Sequence, residues 1–395
     1  MHGIRATRAF DGHRWRPDGA LVLIERGRIV GVESGHAPAP AEAEVDDVPG
    51  ALLPGLVDAH VHLCGDGREG ALDRLETYDD AELSVVIEEG LRSSLATGVT
   101  TVRDLGDRRF AVVAWRDAGK PGWWPTVLAA GPPLTSIGGH CWNMGGEVSG
   151  EVELRAAVAE RAERGVDVVK IMASGGFTTV GSNVVDGQFT DHELEVVVTE
   201  AHRLGLPITA HAHPLVAVEQ SIRAGVDGIE HGTGMTEHGL GLPEPTVGRL
   251  RRESIAVCPT LGQTTVLTPP PAIRDLLHRR GLTPELVMST AAEQAARLLA
   301  AGVRIISGSD AGVGSAKPHG MMAISLEALV RGGADPVAAL TSATALAAES
   351  IGLGARKGRI AAGYDADFVI VDGDPHRDIA DLRSVRRVYL AGKQV

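Results

Sequence analysis

His60, His62, Lys170, His211, His231 and Asp310 offer four imidazoles, one carboxylate and one amine, each near the end of a short apolar segment. Neutral imidazoles and carboxylates are ligands for Zn²⁺ and similar divalent ions, and this set is large enough for a pair of ions. His60 and His62 lie two apart on an expected strand, so both side chains point to one face. With 15 His in 395 residues, chance alone supplies about 0.6 such pairs, and His211-Ala-His213 is a second one. The order of the other residues adds the weight that the pair lacks. Lys170, His211, His231 and Asp310 are separated by 41, 20 and 79 residues, which fits one, one and two strand–helix units.

Lys170 sits in VDVVKIMA, a run too apolar to solvate an ammonium. Such a lysine must snorkel to water, lose its charge, find a carboxylate or be modified. Carboxylation by CO2 would turn it into an anionic carbamate whose two oxygens can bridge two metals. Two cations sharing one water lower its pKa to about 7 or below, so a bridging hydroxide is a nucleophile at neutral pH. Asp310 would take the proton and pass it to the leaving amine, acting as base and then acid. His140, in IGGHCWN, suits an imidazole that holds the substrate's carbonyl or carboxylate. Ser174, Gly175 and Gly176 follow Lys170 and could present backbone N–H groups to an anion. His319, in KPHG, is a further candidate for the pocket. Cys64 reads as a small buried hydrophobe rather than a thiolate ligand.

These residues need a scaffold that brings distant strand ends together. Strand-like segments occur at 56–63, 98–105, 126–134, 166–173, 206–213, 226–232, 255–261 and 303–312. Helical segments fall among them, such as DAELSVVIEEGLRSSLATG and DHELEVVVTEAHRLG, and most close on Gly before the next strand. Such alternation predicts a parallel sheet, and eight units predict an α/β fold, a (β/α)8 TIM barrel over 54–356 with ligands at its C-terminal face. At the N-terminus, ALVLIERGRIVGVES carries two β-rich runs split by a turn, and GRIAAGYDADFVIVDGD and VRRVYLAGKQV have the same texture. Neither end can form a core alone, so 1–53 and 357–395 are expected to build one small β-sandwich domain. The Pro-rich LTPPPAIRDLL (267–277) reads as a surface loop near the barrel mouth.

The net charge of −13, with no basic stripe, argues against nucleic acid or an anionic membrane as the partner. No stretch approaches the roughly 18 apolar residues of a membrane span, and the N-terminus lacks the apolar core of a secretory signal. Three scattered cysteines do not make a disulfide framework, so a cytoplasmic protein is expected. Oligomeric state stays open, including a homo-oligomer.

PGLVDAHVHL, VVKIMASGG, ITAHAH, GIEHG and SGSDAG resemble the signature blocks of the amidohydrolase superfamily. The tail GRIAAGYDADFVIVDGDP resembles that superfamily's C-terminal sandwich strand. GGHCWNMGGEVSG and SDAGVGSAKPHG narrow the resemblance to the imidazolonepropionase-related, Xaa-Pro dipeptidase-like branch. The resemblance implies that His60, His62 and Asp310 bind the more buried ion, that His211 and His231 bind the other, and that carboxylated Lys170 bridges them. Family position favours His211 over His213 as the ligand. Zn²⁺ is the default metal, with Mn, Fe or Co as alternatives. The expected substrate is a small-molecule amide: a dipeptide, an N-acyl amino acid or a related amide. Cyclic-amide hydrolysis, deamination and esterase or lactonase chemistry are the alternatives on the same scaffold.

Overall fold

A computed structural model describes the chain except residues 180, 237–238, 266–270, 280 and 282. Its N-terminal part folds as β1 (His2–Phe10), β2 (Trp15–Arg16), β3 (Ala20–Glu25), β4 (Arg28–Ser34) and β5 (Glu44–Pro54). Arg26 and Gly27 turn β3 into β4 with φ of 48° and 78°, the left-handed pair that a tight hairpin requires. At the other end of the chain lie β14 (Phe368–Val371), β15 (Val385–Leu390) and β16 (Lys393–Gln394). The two ends join: β14 pairs antiparallel with β5, giving one eight-stranded sheet in the order β16-β15-β14-β5-β1-β3-β4, with β2 on β1. Residues before β14 also bond to the far edge, through Ile29 N–H to the Tyr364 carbonyl and Ala366 N–H to the Gly27 carbonyl. Ile4, Val22, Ile24, Leu52, Phe368 and Ile370 make this sheet's own core.

Between the two ends, strands and helices alternate. The strands are β6 (Leu56–Val61), β7 (Val99–Asp104), β8 (Thr126–Ala129), β9 (Val169–Met172), β10 (Ile208–Pro214), β11 (Gly228–Met235), β12 (Ala256–Cys258) and β13 (Arg304–Ile305). All pair in parallel and in chain order, β6 to β8 in one sheet and β9 to β13 in another. Hydrogen bonds also cross the two junctions. The Leu134 N–H donates to the Lys170 carbonyl, and the Met172 N–H donates to the Leu134 carbonyl. On the other side, Ala59 N–H reaches the Ser307 carbonyl and Asp310 N–H the His60 carbonyl.

The helices are α1 (Asp80–Ala96), α2 (Ala111–Asp117), α3 (Gly150–Glu163), α4 (Asp191–Arg203), α5 (Leu215–Ala224), α6 (Glu244–Arg252), α7 (Pro271–Arg279), α8 (Pro284–Ala300), α9 (Met322–Arg331), α10 (Pro336–Ser342) and α11 (Ala345–Ser350). In α4, Leu194, Val197, Val198 and Ala201 repeat at the helical period and are buried against the sheet, while Thr190 and Glu193 close a capping box at its start. A second capping box, Asp79 with Glu82, starts α1. The expectation of a loop at 267–277 needs correction: Pro271–Arg279 is helical, and 267–270 lie outside the described residues. Proline is tolerated in the first turn, where its missing N–H has no partner to lose. Among the described residues, no helix is long and apolar enough to cross a membrane.

Candidate metal centre

The six residues singled out first do converge. Lys170 lies in β9, His211 in β10 and His231 in β11, while His60 is the penultimate residue of β6 and His62 follows that strand. Asp310 follows β13, where the chain bonds back to β6. A cavity of about 480 Å³ opens at these strand ends, and all six residues line it, together with His140 and His213.

The outer partner of each imidazole fixes its proton. His60 Nδ1 donates to the Glu230 carboxylate at 2.8 Å, and His62 Nδ1 donates to the Gly106 carbonyl at 3.0 Å. In the neutral rings both Nε2 atoms therefore carry lone pairs, and they face each other at 3.4 Å. Asp310 Oδ1 lies 3.4 Å from His60 Nε2 and 3.3 Å from His62 Nε2. Ligands held about 2.0–2.2 Å from a tetrahedral ion lie roughly 3.3–3.6 Å apart, so this triangle has the dimensions of a cation site. Without a cation, two lone pairs and an anionic oxygen would repel, and a proton must take the place. Burial opposes a charge on His62, yet the Asp310 carboxylate lifts its pKa above the usual imidazole value. Burial would raise the Asp310 pKa too, but His60, His62 and Lys317 hold it well below the usual carboxylate range.

A second triad, His211, His213 and His231, also groups its ring nitrogens closely enough to hold an ion. His211 Nε2 donates to the Gly175 carbonyl at 3.1 Å, leaving Nδ1 to face His231 Nε2 at 2.9 Å. His231 Nδ1 is held by Thr260 Oγ1 at 2.8 Å. Both rings thus aim one nitrogen inward while an outer bond fixes the other, the arrangement that orients metal-binding histidines. His213 stacks on His231 at 4.3 Å between centroids and meets Thr233 Oγ1 through Nδ1. It lines the same cavity, so its role as the competing ligand stays open.

Lys170 is 1% exposed and lines the cavity. Burial lowers its pKa, with Glu230 and Asp310 pulling the other way. Its charge bears on His60, His140, His211, His213 and His231 alike, and it lines the same cavity as both triads. A buried amine in that position fits carboxylation, because an anion there would face cations rather than need solvent.

His231 (φ 68°) and Asp310 (φ 59°) both occupy the left-handed region that disfavours residues with a Cβ. Such backbone costs of order 1–3 kcal/mol and persists where the surroundings enforce it. At Asp310 the enforcement is visible. Asp58 accepts bonds from Ser309 N–H at 2.9 Å, Ser309 Oγ at 2.5 Å and His60 N–H at 3.3 Å, tying the first strand to the last.

His140 lies in the cavity wall, with its ring 4.6 Å from that of His211 and Nδ1 2.8 Å from Thr179 Oγ1. Three other expectations are corrected. Gly175 N–H is spent on the Asp186 carbonyl and Gly176 N–H on Ser182 Oγ, so neither offers a free donor. The Ser174 hydroxyl accepts from His213 N–H, and Ser174 and Gly175 do not line the cavity. His319 is also outside the cavity lining; it donates from Nε2 to the Gly65 carbonyl and packs against Gly90 of α1.

The sequence reading missed the groups behind the ligands. Glu230, buried beneath His60, also accepts from Arg103 Nη2 at 3.0 Å and Thr209 Oγ1 at 2.6 Å. Burial opposes its charge, but His60 and Arg103 hold its pKa well below the usual range. Lys317, also unremarked, donates from a buried position to the Thr260 and Ser309 carbonyls. A charged residue inside an apolar strand, as in GIEHG or TTVRDL, was the available signal.

Known proteins resemble this chain across most of its length. It is similar to ochratoxinase of Aspergillus niger, 28% identical over 381 residues that cover 87% of this chain and 75% of the relative. It is also similar to imidazolonepropionase of Deinococcus deserti, at 26% over 409 residues, covering 96% and 93%. Among solved structures it superposes on a Xaa-Pro dipeptidase with bound methionine in the active site, with a TM-score of 0.83 at 26% identity, covering 100% of this chain and 99% of that one. The amidohydrolase family model matches residues 51–395, and the protein therefore belongs to the amidohydrolase family, hydrolases of C–N bonds.

Proposed function

We propose that the protein is a binuclear metal-dependent hydrolase that cleaves the amide bond of a small molecule, a dipeptide, an N-acyl amino acid or a related amide. The observation that carries this reading is the facing of His60 and His62 lone pairs beside Asp310 at cation-site spacing, with a second inward-aimed pair at His211 and His231. His60, His62 and Asp310 would hold one divalent ion, and His211 and His231 the other, with zinc as the first candidate. Lys170, carboxylated by CO2 with loss of a proton, would join the two. The similarity to a Xaa-Pro dipeptidase and to ochratoxinase supports an amide as the target.

The scaffold proposed here is a (β/α)8 barrel, β6 to β13, closed by the hydrogen bonds at both junctions. Beside it, 1–53 with 357–395 would form a separate sandwich domain, supported by that sheet's own apolar core.

When bound, the ions supply an acidified water and polarise the scissile carbonyl. The chain's own groups do the rest. Asp310 accepts the proton that the attacking water loses and returns it to the departing amine nitrogen, without which a basic amine leaves poorly. His140, fixed by Thr179, orients the substrate's carbonyl or carboxylate. Glu230 keeps His60 in the tautomer whose Nε2 faces the cavity.

The test is a screen of dipeptides, N-acyl amino acids and cyclic imides on protein loaded with Zn or Mn in bicarbonate, with release of free amine as the readout. Amine release that depends on metal and bicarbonate is expected. Turnover of matched esters alone, with no amide cleaved, would overturn the proposal.

A further inference from the structure

The cavity is chemically divided. Its floor carries the imidazoles, Lys170, Asp310 and Lys317, while its walls carry Leu72, Phe177, Leu261, Leu277, Val287 and Met288. Part of this wall is packed together: Leu277 clusters with Val184 and Met235, and Phe177, Val185 and Val287 rest against them. The segment after β9 thus meets α7 and the start of α8 above the site. Phe177 also sets its ring edge against His213 at 4.7 Å, so the apolar wall begins beside the second triad. Glu285, Glu293 and Arg331 also line the cavity with exposed side chains, where water screens their net single negative charge. At about 480 Å³ the space falls in the range of drug-sized ligands, well beyond the two smallest amino acids joined.

We infer that the site takes amides bearing a bulky apolar group, an aryl ring or an alkyl chain of about six carbons or more, which lies against the Phe177–Leu277–Val287–Met288 wall while the amide meets the polar floor. This rests on the hydrolase reading for the location of the reacting bond, but apolar recognition can be measured without turnover.

The direct test is calorimetric binding of acetate, butyrate, hexanoate, octanoate and 1-naphthoate to the zinc-loaded full chain. Each buried methylene should strengthen binding roughly three- to fourfold, so hexanoate should bind at least about tenfold more tightly than acetate if only two of its four extra methylenes are buried, and about 80- to 250-fold if all four are. Met288→Asp should compress that ratio to about threefold or less. Phe177→Ser is the second variant should Met288→Asp fail to give a cooperative thermal melt. A wild-type series that stays flat from acetate to octanoate overturns the inference. A parallel assay of N-acylglycines of the same chain lengths separates the two claims. A steep binding series with no amide cleaved removes the hydrolase reading alone, whereas cleavage that ignores chain length, with flat binding, removes this one alone.

Discussion

Proton positions at His60 and His62 carry most of the chemical argument. Because carboxylate and carbonyl partners hold the Nδ1 protons, the Nε2 lone pairs have no use except a cation or an added proton. Asp310 faces both, and its carboxylate stays ionised. Removing its basicity while keeping its shape should stop proton transfer without unfolding the chain. We expect Asp310→Asn to lower kcat by about 10²–10⁴-fold, with the thermal midpoint little changed and much of the metal retained. Steady-state kinetics beside metal analysis would check this, and near-normal turnover would remove the proposed shuttle. The ligands themselves were legible because imidazoles are scarce and theirs recur at strand ends. Glu230 was not, since its partners His60, Arg103 and Thr209 lie 170, 127 and 21 positions away, and nothing local shows that they surround it.

Strands deliver these side chains, and the junction between first and last is close-packed. A Cβ at Gly308 would lie 2.6 Å from Cys258 Sγ, 2.7 Å from His60 Cβ and 2.8 Å from His60 N. Backbone cannot yield there without moving a ligand. Gly308→Ala should therefore destabilise the fold by about 1–3 kcal/mol, the usual range for overpacking, and weaken metal binding together with stability. A chelator competition alongside a melting curve would show both; an unchanged pair of values would mean that the junction is slack. At this scale the alternation of β and α was readable from periodicity and Gly stops, and α1 and α4 fall where their apolar repeats place them. Two kinds of element escaped. The chain after β13 reads as strand through Gly312, yet only Arg304–Ile305 keeps the ladder because Ser309 turns to Asp58 and Asp310 adopts a left-handed backbone. In α7, the prolines hid a short helix whose first turn accommodates Pro271.

At the scale of the whole molecule, stability and metal binding share the same residues. Burial lowers the pKa of His60 to about 4 and of His140 and His213 to about 3, and holds His211 and His231 well below the ordinary imidazole value. A histidine kept neutral by folding costs nothing above its unfolded pKa of about 6.5, but below it the unfolded chain takes up protons that the fold refuses. Burial acts oppositely on Asp58 and Asp104, raised to about 6, and on Asp107, raised to about 7. Those groups cost stability as pH rises from about 3.9 and recover it on acidification. Five imidazoles outnumber three carboxyls, so the metal-free protein should lose stability as pH falls from about 6.5 toward 5. Scanning fluorimetry after chelation would record a falling midpoint; a constant or rising one would contradict the balance. The joining of both chain ends into one sheet was readable from their matching texture, whereas the curl that brings Ile29 to Tyr364 depends on contacts that no local pattern encodes. The centre itself is tested most directly by metal content per chain after reconstitution with zinc and bicarbonate, compared between the wild type and Lys170→Ala. About two ions per wild-type chain, and clearly fewer in the variant, are expected. A wild-type chain that retains no stoichiometric metal, or a variant that retains both ions, would contradict a lysine-bridged pair.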